Sequence, residues 1–236
     1  MREPLVMVPG MMCDARLFAA QLAAFSADTV VSVAPITHGE TIEKIVDGLL
    51  DLLPAKFALA GLSMGGIVAM EIVRRVPERI TRLALMDTNP LAETPQSAAM
   101  YEPMIASVRA GRLEDVMRGF MKPEYLAPGP GRAAVLNLCI AMAEALGPDV
   151  FVRQVRALQR RQDQQATLRR LKVPVLVMCG EHDGLTPVKR HKFMSELIPY
   201  ARLSIIAGAG HLPTLEQPEA TTAALSEWMS QPYVLK

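Results

Sequence analysis

The chain has 236 residues, of which 50% are hydrophobic and 21% charged, with a formal net charge of +1. That composition belongs to a folded globular protein and excludes a disordered one, and the near-zero charge gives no electrostatic reason to expect nucleic acid or an anionic membrane as partner. Cys13, Cys139 and Cys179 form no CxxC and have no histidine pair nearby, which argues against a zinc site or a disulfide framework and fits a reducing compartment.

No apolar run approaches the roughly 18 to 20 residues that span a bilayer. The opening MREPLVMVPGMMCD offers only the run LVMV before Pro9 and Gly10, too short for the core of a signal peptide, so a cytoplasmic protein is expected. Short apolar runs bounded by Gly, Pro or Asp then recur along the chain: LVMV at 5–8, TVVSV at 29–33, FALA at 57–60, LALM at 83–86, VPVLVM at 173–178 and LSII at 203–206. Continuous apolar runs mark strands buried on both faces, the pattern of a mostly parallel sheet of about six strands with helices on either side. The segments between them carry the helical period. In 41–53, Ile42, Ile45, Val46, Leu49 and Leu53 fall on one stripe and Thr41 can cap the first turn. In 186–198, Thr186 reads as a cap, Pro187 as the first helical residue, and Met194, Leu197 and Ile198 as the buried face. From 218 to 229, Thr221, Ala224, Leu225 and Trp228 line up in the same way.

One interval breaks the alternation. Between Leu91 and Leu171 there is no good strand, only helical pieces interrupted by EPM, KPE, APGPG and LGPD. The reading is an α/β core of residues 1–90 and 172–236, with 91–171 inserted as a helical cap.

The chemistry concentrates at GLSMGG, residues 61–66. A strand that turns sharply into a helix needs small residues on both sides of the turn, and Gly61 and Gly65 flank Ser63 at two positions' distance. The turn presents the hydroxyl clear of the sheet, at a helix N-terminus that favours developing negative charge. A serine hydroxyl needs a base. Of the four histidines, His38 lies in a polar loop, His182 precedes an aspartate and His191 sits in a charged stretch, RHK, that reads as a solvated helix face. His211 directly follows the last strand and the flexible GAG, in a loop able to reach over the strand ends. The acid that orients it is Asp183, in GEHDGLTP after the fifth strand, or Asp87, which ends the fourth; Asp183 is preferred because its loop is longer and its strand adjoins the one supplying His211.

The order Ser63, Asp183, His211, together with PGMMCD, GLSMGG, GEHDGLTP and GAGHLPTLEQPE, resembles the α/β-hydrolase superfamily in its small esterase, lactonase and thioesterase-like branch. The resemblance implies a serine hydrolase with a Ser-His-Asp triad and no metal or organic cofactor. It also implies an oxyanion hole built from the backbone N–H groups of Met11 and Met64, with Met12 beside the substrate. Two features depart from the family: Pro9 stands where a histidine is usual, and the sheet is expected to lack the customary first two strands. Relatives that carry out the menaquinone-pathway elimination have arginine four residues after the nucleophile, where this chain has Ile67. The expected substrate is a small, largely apolar carboxylic ester. Thioester or lactone hydrolysis, an elimination on the same triad, and a non-catalytic ligand-binding protein are the alternatives. The basic stretch 153–172 reads chiefly as a solvated face, with anion binding by Arg153, Arg156 and Arg160 as its functional alternative.

Overall fold

The computed structural model describes residues 3–232. Six strands, β1 (Leu5–Val8), β2 (Val31–Val33), β3 (Phe57–Leu62), β4 (Ile80–Met86), β5 (Val175–Gly180) and β6 (Ala201–Ile206), form one sheet in the order β2-β1-β3-β4-β5-β6. Every pairing is parallel. Side chains alternate across the sheet: Val6 and Val8 of β1 enter one core, Leu5 and Met7 the other. The central strands are buried on both faces, as their continuous apolar runs require. The edge strands depart from that expectation, since β2 and β6 keep half-exposed residues and β2 starts only at Val31, leaving Val30 open to solvent. Short, partly polar edges limit pairing with other chains. β4 begins three residues earlier than its apolar run, because the buried Arg82 is neutralised inside the strand by Glu3.

The helices of the first half are α1 (Ala19–Phe25), α2 (Ile42–Leu49) and α3 (Met64–Arg75). Thr41 caps α2 by accepting the N–H of Lys44, and the helix buries Ile42, Ile45, Val46 and Leu49; Leu53 lies beyond its end and is half-buried. Between β4 and β5 there is no strand. The chain passes instead through α4 (Pro95–Ala99), α5 (Tyr101–Arg109), α6 (Leu113–Phe120), α7 (Arg132–Leu146), α8 (Pro148–Gln159) and α9 (Gln165–Leu168). The last three are α10 (Val188–Leu197), α11 (Pro213–Glu216) and α12 (Pro218–Met229). α2, α3 and α10 cover one face of the sheet, and α1 and α12 cover the other, where Trp228 is fully buried. Among the described residues no single helix is long and apolar enough to cross a membrane.

β1 is the point where the strand order reverses: the chain goes first to β2 on one side, then to β3 on the other. A parallel sheet opens a crevice at the carboxyl ends of its strands at such a reversal. The loop after β1, the turn after β3 and the tips of β4 and β5 all lead to it.

Candidate active site

Ser63 sits at the β3–α3 turn with φ 55° and ψ −117°, a conformation that a residue with a side chain rarely adopts. The turn is as tight as the glycines suggest. A Cβ on Gly61 would stand 2.3 Å from the carbonyl oxygen of Gly65, and one on Gly65 would stand 2.0 Å from the carbonyl oxygen of Val8. No side chain fits at either position, so β1, β3 and α3 pack backbone to backbone under the serine. The turn is fastened from the β4 tip. Ser63 N–H donates to Met86 O at 2.8 Å, and Thr88 Oγ1 donates to Ser63 O at 2.7 Å.

Ser63 Oγ lies 3.0 Å from His211 Nε2, and His211 Nδ1 lies 2.9 Å from Asp183 Oδ2. The residues come from three separate strand tips. His211 and Asp183 are buried, while Ser63 lines the cavity. Because Asp183 accepts the Nδ1–H, the neutral imidazole carries its proton there and leaves Nε2 as an acceptor facing the hydroxyl. Asp183 also accepts Leu185 N–H and Thr186 N–H on Oδ1 and the Thr186 hydroxyl on Oδ2. Burial alone would push this carboxyl up, but the adjacent His211 and the hydrogen bonds outweigh it and hold the group down at about 2. Thr186 therefore braces the carboxylate rather than capping a helix. α10 begins at Val188, with Pro187 at its cap position.

The His211 loop is pinned, in contrast to the flexibility expected of GAG. His211 N–H donates to Tyr125 O at 2.8 Å, and Glu216 accepts the N–H groups of Gly210, Leu212 and Ala127. Residues 125–127 belong to the helical segment, so that segment holds the imidazole in place. His191, read from sequence as solvated, is fully buried. Its Nε2 accepts the Thr88 N–H at 3.0 Å, and burial lowers its basicity to a pKa of about 4, keeping it neutral. His38 and His182 are exposed.

Asp87 reaches the same place but has a different role. It is fully buried with φ 45°; Oδ1 accepts Gly180 N–H at 2.9 Å, and Oδ2 has no partner. Ligand-type atoms of Asp87, Asp183 and His211 lie within 4.8 Å of one another. Both nitrogens of His211 and both oxygens of Asp183 are already engaged by the protein, so this cluster presents no free donor set for a metal ion.

A cavity of about 320 Å³ opens over Ser63 and His211, within the size range of small-molecule sites. Met11 and Met64 line it, and the β1 loop runs close enough that a Cβ on Gly10 would lie 3.5 Å from Ser63 Cβ. Met12 does not line the cavity. It is fully buried in the core with φ 54°, and its N–H donates to Gln154 Oε1 at 2.8 Å while Gln154 Nε2 donates to Ile36 O. A buried glutamine of α8 thus sets the turn that follows Pro9 and Gly10. Cys13 lines the cavity, and burial raises its thiol well above the usual range, leaving it a poor competitor as nucleophile.

The rest of the wall comes from the helical segment and α3. Ile67, Phe120, Met121 and Leu158 supply apolar surface. Arg161, from the stretch read as a solvated face, pairs with Glu93 at 3.2 Å and donates to Leu91 O, with Tyr101 beside them. Arg153 also turns inward, donating to Thr37 O. Sequence reasoning missed Gln154, Glu93, Tyr101 and Glu216. Gln154 and Glu93 act through partners far along the chain, Met12 and Arg161, whereas Glu216 stands inside GAGHLPTLEQPE beside two of its partners, and only its bond to Ala127 is distant.

Residues 5–225 match the alpha/beta hydrolase family. The chain belongs to that family. A pimeloyl-[acyl-carrier protein] methyl ester esterase of Aromatoleum aromaticum is 31% identical over 194 residues, 77% of each chain. A protein of the same description from Photobacterium profundum is 26% identical over 80% of this chain and 77% of its own. Among solved structures, a thermophilic esterase from Thermogutta terrifontis superposes with a TM-score of 0.88 at 27% identity, covering 96% of this chain and 89% of its own. The enol-lactonase of Burkholderia xenovorans, at 22% identity and a TM-score of 0.84 over 98% of this chain and 93% of its own, shares the fold.

Proposed function

We propose that this α/β-hydrolase is a serine esterase that cleaves a carboxylic ester through an acyl-enzyme on Ser63. The observation that carries the proposal is the unbroken hydrogen-bonded chain from Ser63 Oγ through His211 to Asp183 at the floor of a largely apolar cavity. His211 Nε2 takes the hydroxyl proton as Oγ adds to the ester carbonyl. The negative charge of the tetrahedral intermediate falls between the N–H groups of Met11 and Met64, each such donor being worth about a hundredfold to a thousandfold in rate. The intermediate collapses with the His211 proton passing to the leaving alcohol, and water activated by the same nitrogen then releases the acid. Asp183 holds the tautomer and stabilises the transient imidazolium. Residues 91–171 act as a cap that shapes the acyl site over the core of 1–90 and 172–236.

The fold and triad serve several chemistries, so the substrate class is argued from the site. Methyl esters of acyl chains are the first candidates, a reading supported by relatives described as pimeloyl-[acyl-carrier protein] methyl ester esterases. A panel of p-nitrophenyl and methyl esters of increasing acyl length, run beside acyl-coenzyme A thioesters, tests the proposal. Ester turnover that disappears in Ser63→Ala is the expected result. Faster turnover of thioesters would make the protein a thioesterase, and no turnover of either class, with tight binding of a small ligand, would make it a receptor.

A further inference from the structure

Two carboxyl groups are buried side by side at the tips of β4 and β5, and the protein treats them unequally. Asp183 accepts four hydrogen bonds, from Leu185 N, Thr186 N, Thr186 Oγ1 and His211 Nδ1. Asp87 accepts one, from Gly180 N, and its Oδ2 is buried without a partner, while a carboxylate oxygen of Asp87 lies within 4.8 Å of one of Asp183. An ionised carboxylate is an acceptor only, so an orphaned buried oxygen carrying half a negative charge would be costly, whereas a protonated one becomes a donor facing the neighbouring acid. Two adjacent buried carboxyls cannot both ionise, and the one with more donors keeps the charge.

We propose that Asp87 is a positioning residue that works as a neutral carboxylic acid, its Oδ2–H lying against the Asp183 carboxylate while Oδ1 clamps the β5 tip through Gly180 N–H. The inference rests on the reading of Ser63, His211 and Asp183 given above. The groups acting on Asp87 agree with it: Asp183 and Glu216 are both acids, and the facing Cys179 of β5 is a buried thiol. His211 is committed to Asp183, and His191, reached through Thr88, is neutral. No arginine or lysine is among these neighbours. The consequence is functional. A second negative charge beside Asp183 would stabilise the imidazolium form of His211 and remove the base that Ser63 needs at neutral pH. A neutral Asp87 leaves one charge on the site and still ties the two strand tips together.

Asp87→Asn is the decisive variant, because asparagine keeps the shape, stays neutral, supplies an N–H where the acid has its O–H, and tolerates a positive φ. The pH profile of kcat/KM is read first. The acid limb should stay where it is in the wild type, with kcat/KM within about threefold, whereas Asp87→Leu, which removes both the clamp and the donor, should lose about a hundredfold. Had Asp87 been ionised, its removal would free His211 of a stabilising charge and move the acid limb down by about one unit or more, and that shift overturns the proposal. Isotope-edited infrared spectroscopy needs no activity. At neutral pH the wild-type protein should give a protonated-carboxyl C=O band that disappears in Asp87→Asn; the absence of that band in the wild type also overturns it. If the wild-type protein hydrolyses no ester, the Ser63 reading fails, and the infrared band still decides the state of Asp87.

Discussion

The strand tips and the helical segment above them build the two halves of one cavity by opposite means. At the tips, geometry is fixed by backbone approaches that admit no Cβ, by hydrogen bonds between adjacent strand ends, and by three non-glycine residues held at positive φ: Met12, Ser63 and Asp87. Strain of that kind persists only where the surroundings over-determine it, and it clusters at functional sites. The helical segment contributes side chains instead. Phe120, Met121 and Leu158 offer adaptable apolar surface, and a single ion pair, Arg161 with Glu93, interrupts it. Under the proposed function, the contrast assigns reaction rate to the tips and substrate choice to the helices, with the contact from Tyr125 O to His211 N–H as the seam between them.

Substitutions can break or sharpen that division. The largest effect belongs to Ser63→Ala, which should lower kcat by about a millionfold in steady-state assays of the best ester. Asp183→Asn should follow at about ten-thousandfold, since the amide cannot hold the imidazole tautomer that leaves Nε2 free. Phe120→Ala on the helical side should raise KM for long-chain esters by about tenfold, with a smaller change for acetates. A uniform loss of kcat across chain lengths in that variant would erase the distinction between the two halves. The smallest effect is on stability. The folded-state pKa of His191 lies below its unfolded value, so the unfolded chain binds more protons between about 6.5 and 4, and stability is lost as pH falls through that window. His191→Gln should flatten the acid side of a Tm-against-pH curve there.

The same contrast explains what the sequence revealed. The four inner strands could be read because parallel strands buried on both faces leave continuous apolar runs, the edge strands β2 and β6 because their runs are apolar although only half-buried, and the turn at Ser63 because Gly61 and Gly65 are local necessities. The first residues of β4 carry no continuous apolar signal because the polar Arg82 finds its partner, Glu3, just before β1, 79 residues away in the chain. His191 was read as solvated because its charged neighbours suggest an exposed face, while the group that buries it, the Thr88 N–H, comes from another strand tip. Met12 looked like a pocket residue by position alone; its turn is set by Gln154, far along the chain, which no spacing rule could supply. Helices of the 91–171 segment were legible as helices, but the wall they form depends on tertiary packing.

The central claim is that Ser63 is made reactive by the imidazole 3.0 Å away. Incubation with a fluorophosphonate probe followed by peptide mass spectrometry tests it most directly. The account predicts one modified residue, Ser63, with labelling slowed in Asp183→Asn and lost when His211 is replaced by alanine. Modification of a different serine, or none under conditions that label a known serine esterase, would contradict it.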